Sequence, residues 1–157
     1  MKSQMEIIDA NRQSVAEELA KILADETILY TKTKNAYWNL SGPDAYEKHK
    51  FEMQFGELDE IIAQVAQYIC SLGHHVPATL KSYLRITRLS EATSQKSDNQ
   101  SFIEELIANH ESTIAVLREQ IQIFTLKLHD TDSANFVRGL IKTHEKMAWF
   151  LRSHLTK

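Results

Sequence analysis

Seven histidines and one cysteine are the side chains here best suited to hold a metal or move a proton near neutral pH. Their spacing limits what they can do. None of the histidines has a glutamate three residues before it, so the Glu-x-x-His spacing by which one helix offers two ligands to a metal pair is absent. His110 and His144 fall on apolar stripes, where a hydrogen-bonded core or interface imidazole is expected ahead of a ligand. His74-His75 sits at a helix end and could take a surface metal, with an exposed polar cap the plainer expectation. Cys70 has no second cysteine to pair with, which suits a reducing compartment.

The elements that must position these groups are helical. At 157 residues and 43% hydrophobic content the chain is expected to form one domain, residues 1–157, with a core that needs no disulfide or structural metal. Four glycines and two prolines leave few breaks, and strand-like alternation is nearly absent, so an all-α fold is expected. No run reaches the ~18 apolar residues a membrane-spanning helix requires, and the N-terminus lacks a signal-peptide core, so a cytoplasmic protein with no membrane partner is expected. The net charge of -3 comes without a basic tail at either end, which argues against DNA as a partner.

A first helix is expected from about Met5 to Tyr37, with Val15, Leu19, Ile22 and Leu29 on one stripe and Glu26 at an intermediate position. Ser41-Gly42-Pro43 breaks it, and Asp44 with Glu47 offers a capping box to the next. That second helix carries Phe51, Phe55, Leu58, Ile62, Val65, Ile69 and Leu72 in four-three steps and ends at Gly73. Residues 76 to about 100 form a long connection, with a short helix within Thr79–Leu89 and a polar segment from Ser90 to Gln100. A third helix is expected from a capping box at Ser101 and Glu104, running through Ile103, Leu106, His110, Leu117, Ile121, Phe124 and Leu128. After a turn at His129–Ser133, a fourth buries Val137, Leu140, His144, Met147, Leu151 and Leu155. The long connection lets helix three run parallel to helix two, giving a four-helix bundle with one crossover.

The wording from Leu29 to Leu80 (LYTKTKN, WN, GPDAYEKH, LDEII, SLGHHVPATL), then TRLSEA and EKMAWFLR, resembles the Dps proteins, or mini-ferritins. The resemblance spans nearly the whole chain. It implies a ferritin-like four-helix bundle with a long crossover between helices 2 and 3, self-assembly into a hollow homododecamer with two-fold and three-fold interfaces, and iron oxidation and storage under oxidative stress.

In that family each iron site is shared by two subunits: two histidines and an acidic residue from one, an Asp-x-x-x-Glu pair from the other. Carboxylates stabilise ferric iron, imidazoles suit ferrous iron, and an open position admits the oxidant. Carried over residue by residue, His49 matches the second histidine, twelve residues after Tyr37, and Glu52 stands for the acidic residue at a spacing of three instead of four. Tyr37 replaces the first histidine; its phenol, with a pKa near 10, is a poor ligand for arriving ferrous iron. Ala63 and Gln67 occupy the partner's carboxylate positions, or Gln64 and Tyr68 if the one-residue gap is placed later. Under either alignment the carboxylate pair is gone, so iron is expected at a weakened site formed by His49 and Glu52, or a different metal there. Asp130 and Asp132 match the acidic turn that lines the family's three-fold pores, although Asn135 stands where an acid is common and a solvated turn explains them equally well.

The expected function is therefore a mini-ferritin subunit with a degraded interfacial ferroxidase centre. The alternative is a non-catalytic shell, either a passive mineral container or a co-assembly partner. DNA protection by binding ranks third, because twelve copies carry about -36 and repel phosphates.

Overall fold

In a computed structural model of the chain, residues 4–42, 45–90 and 98–155 are described. The first helix, α1 (Gln4–Asn39), starts and stops within two residues of its expected bounds, and Val15, Leu19, Ile22 and Leu29 are all buried on it. Gly42 takes a φ of 70° just beyond it, a left-handed conformation that glycine adopts without penalty. Pro43 and the Asp44 cap lie outside the described residues.

The second helix, α2 (Ala45–Ser71), packs along α1 and ends at Gly73, whose φ of 81° makes it the left-handed cap its sequence implies. Its buried face is Phe51, Gln54, Leu58, Ile61, Val65 and Ile69, whereas Phe55, Ile62 and Leu72 are only half-buried. The true helical period of 3.6 drifts off the strict four-three ladder, and Gln54 and Ile61 take the inward places.

The crossover carries α3 (Leu80–Ile86), capped by the Thr79 side chain, which accepts from Ser82 N at 3.1 Å. The strand of chain that follows is clamped to α1 at two buried charges. Asp25 accepts from Thr87 Oγ1 (2.7 Å), Arg88 N (2.7 Å) and Arg88 Nε (2.8 Å). Lys32 donates to Ser90 O (2.9 Å) and pairs with Glu105 at 3.0 Å. Residues 91–97, most of the polar segment, lie outside the described residues.

The third bundle helix, α4 (Asn99–Gln122), begins earlier than its expected Ser101 capping box. Asp98 is the cap: its carboxylate takes Ser101 N at 2.9 Å and Ser101 Oγ at 2.8 Å, so Ser101 serves as donor inside the first turn. The helix also stops short of Leu128, passing into a π-helical turn at Ile123–Lys127, where Leu128 N donates to Ile123 O at 3.1 Å. His129 follows with a φ of 50°. The last helix, α5 (Thr131–Arg152), packs along α4 and buries Val137, Leu140, His144, Met147 and Leu151; Leu155 lies beyond its end and is half-buried.

The four long helices form the expected four-helix bundle, and the crossover helix packs on α1 outside the central core. That core runs from Leu19 and Leu23 through Leu58, Leu106 and Leu117 to Leu151. Among the described residues no helix is long and apolar enough to cross a membrane.

Candidate metal centre

The end of α1 and the first turns of α2 bring together Tyr37, His49 and Glu52, three residues that the chain separates by the α1–α2 turn. Tyr37 Oη donates to Glu52 Oε1 at 2.5 Å, and the other carboxylate oxygen, Oε2, lies 3.8 Å from His49 Nδ1. One carboxylate thus touches a phenol on one side and reaches towards an imidazole on the other. The cluster is open to solvent, since the His49 and Glu52 side chains keep 66% and 48% of their exposure. Its position comes from packing behind it: the Tyr37 ring meets Phe55 edge-on at 5.4 Å, and Phe55 meets Tyr30 at 6.4 Å. Lys34 Nζ sits over the rings of Tyr30 (4.7 Å), Phe55 (5.5 Å) and Trp38 (5.6 Å), a cation held by aromatic faces.

The Tyr37 pKa is raised from its ordinary value, first because its proton is held in the bond to Glu52, then by burial and by the carboxylate charge. A free phenolate is therefore disfavoured at this site, and only a cation strong enough to displace that proton can recruit the oxygen. Among the described residues no three His, Cys, Asp or Glu side chains converge to hold a metal ion. A third donor exists at this place only as the Tyr37 phenol.

Ala63, Gln64 and Gln67 are exposed on α2, where they can face another copy of the chain but present no carboxylate. Tyr68 is committed elsewhere: its hydroxyl lies 2.8 Å from Ser133 Oγ and its ring tilts against Phe136. Asp130 is the cap of α5, with Ser133 N at 2.9 Å and Ser133 Oγ at 2.7 Å on its two oxygens, while Asp132 is exposed in the first turn. Asn135 accepts from Arg138 at 2.6 Å. His74 and His75 stay at the surface end of α2, half-buried and exposed respectively.

A second cluster escaped the sequence reading in part. His110 and His144 are indeed hydrogen-bonded core imidazoles, but they form a chain with Glu26, and all three are 0% exposed. Glu26 Oε1 lies 2.6 Å from His144 Nε2, and His144 Nδ1 lies 2.9 Å from His110 Nδ1. Burial, then His144, then the Arg152 charge push the His110 pKa well below 6.5, so its imidazole stays neutral. The signal available beforehand was an acid on the Leu19–Ile22–Leu29 stripe facing two stripes that each carried one histidine.

A family model described as a ferritin-like domain matches residues 16–157. "DNA protection during starvation protein 2" of Bacillus anthracis is 30% identical over 148 residues, 94% of this chain and 99% of that protein. An uncharacterised low temperature-induced protein of Nostoc is 29% identical over 150 residues, 95% of this chain and 84% of its own length. Among solved structures, Dps from Thermosynechococcus elongatus superposes with a TM-score of 0.84 at 28% identity, covering 96% of this chain and 95% of the other.

Proposed function

Since the chain belongs to the Dps family of ferritin-like proteins, whose role is iron storage and protection, we propose that it is the single-domain subunit of a cytoplasmic dodecameric shell that holds ferric iron but oxidises ferrous iron slowly. The observation that carries this reading is the Tyr37–Glu52 bond of 2.5 Å, in a cluster where a phenol stands beside the carboxylate and His49 is the one imidazole within reach. Two hard oxygens and one nitrogen are a donor set for ferric iron; ferrous iron favours more imidazole and cannot readily displace the phenol proton. The face that a second copy offers at Ala63 and Gln67 adds no carboxylate, so the site lacks the charge that would stabilise two iron ions during oxidation.

In the proposed shell this cluster lies at an interface between subunits, a reading that the self-association of the family supports. Trp38 and Trp149 are each 70% exposed, and large aromatic residues left open in this way mark surfaces that another protein covers. Assembly also raises the negative charge of the particle, which works against binding DNA phosphates.

Stopped-flow mixing of ferrous iron with the assembled protein tests the reading. The expected rate is close to that of buffer alone and unaffected by His49→Ala. Rapid oxidation abolished by His49→Ala overturns it. Sedimentation of the purified chain tests the shell: a particle of twelve subunits is expected, and a monomer at micromolar concentration removes the proposal. A second reading, a shell that holds no iron at all, is favoured by the same missing carboxylates; it predicts no ferric retention after gel filtration.

A further inference from the structure

The Glu26–His144–His110 chain joins three of the four bundle helices through two hydrogen bonds in series, with no water-exposed atom along it. Each link holds one proton. The bond between the two Nδ1 atoms exists only while one of them is bare, because two N–H groups facing each other at 2.9 Å repel. His144 is engaged through both ring nitrogens, whereas Glu26 Oε2 and His110 Nε2 meet no partner among the described residues. A proton on His110 Nε2 therefore has no acceptor on its far side, and once both rings carry two protons the bond on the near side is lost.

The surroundings cannot absorb that charge. On α5 the Arg152 guanidinium acts on His110 and repels a second cation. The buried face of α2, from Phe51 to Ile69, carries no titratable group. The other buried charges on α1, Asp25 and Lys32, are held by the crossover. A metal ion does not fit the same atoms as they stand, since both links are at hydrogen-bond length and leave no gap between Glu26 and His144.

We infer that Glu26, His144 and His110 form an acid-sensitive lock across α1, α5 and α4, whose Nδ1–Nδ1 bond must break when both imidazoles are charged, so that the subunit opens in acid. The sign follows from proton counting. The unfolded chain charges His110 below about pH 6.5, while burial beside His144 keeps that ring neutral in the folded chain, which then holds one proton fewer there. Stability conferred by the lock is complete above that pH and falls as pH drops, approaching about tenfold in the folding equilibrium per pH unit well below it.

Urea unfolding of the assembled wild-type protein at pH 7.5, 6.5 and 5.5, at one protein concentration, is compared with His110→Asn, which keeps a polar neighbour for His144 but cannot titrate. Between pH 6.5 and 5.5 the wild type is expected to lose about fivefold more in its folding equilibrium than the variant. Equal losses overturn the inference. Should the variant not fold, nitrogen-15 spectra of the wild-type histidine rings decide: one core imidazole neutral at pH 5.5 in the folded protein supports the lock, and two charged core imidazoles refute it. Stoichiometric zinc retained by the wild type and lost in Glu26→Gln also refutes it, by making the cluster a metal site.

Discussion

The described residues include two carboxylate–histidine clusters, one sealed among α1, α4 and α5 and one open at the junction of α1 and α2. Both set an imidazole near a glutamate, yet they do opposite work. In the core, Glu26 and His144 close on each other at 2.6 Å with zero exposure, and the bond ties helices together. At the surface, His49 and Glu52 stay 3.8 Å apart and largely solvated, so the pair contributes little to stability and remains free to rearrange around a cation. Burial, more than residue type, separates a structural cluster from a ligand-binding one. Counting histidines and acids in the sequence cannot make that distinction.

The most direct way to break the contrast is to remove the buried acid. Glu26→Ala leaves His144 without its partner in a dry core and is expected to cost about 3–5 kcal/mol, read from the urea midpoint at pH 7.5; a loss below 1 kcal/mol would place that cluster in the same class as the surface one. Restoring acids to the open cluster should act on chemistry instead. The double substitution Ala63→Asp with Gln67→Glu is expected to speed ferrous oxidation on the order of tenfold or more while leaving the fold intact, and an unchanged rate means that another ligand limits the site. Tyr37→Phe should leave stability within about 0.5 kcal/mol. It should nonetheless abolish the visible phenolate-to-iron absorption expected when ferric citrate is added to the wild type; a band that survives assigns the colour elsewhere. The smallest effect is electrostatic: Glu52→Gln weakens the hold on the Tyr37 proton, so ultraviolet titration should show that tyrosine ionising at lower pH than in the wild type.

Much of the fold was legible because it rests on local rules. Gly73 had to cap α2, the stripe Val15–Leu19–Ile22–Leu29 had to face inward, and the long crossover had to carry a short helix. Where two local signals competed, the reading slipped: Asp98 outbid Ser101 as the cap of α4 because a carboxylate accepts from both the amide and the hydroxyl of Ser101. The two clusters were less legible, because their contacts are not local. Tyr37 and Glu52 lie 15 residues apart on either side of a turn, and Glu26 and His144 lie 118 apart, so their bonds depend on how helices are laid together. Whether an acid on an apolar stripe finds a histidine is decided by helix rotation, which hydrophobic spacing fixes only coarsely.

The π-helical turn at Ile123–Lys127 has a meaning for how such chains change over generations. It is one residue longer than the α-helical turn it replaces, and Thr125 and Leu126 within it are exposed. A single-codon deletion at Thr125 can therefore relax the turn to ordinary α geometry while the inward places of Phe124 and the Asp130 cap persist. The end of α4 is thus a point among the described residues where length can change without rotating the core.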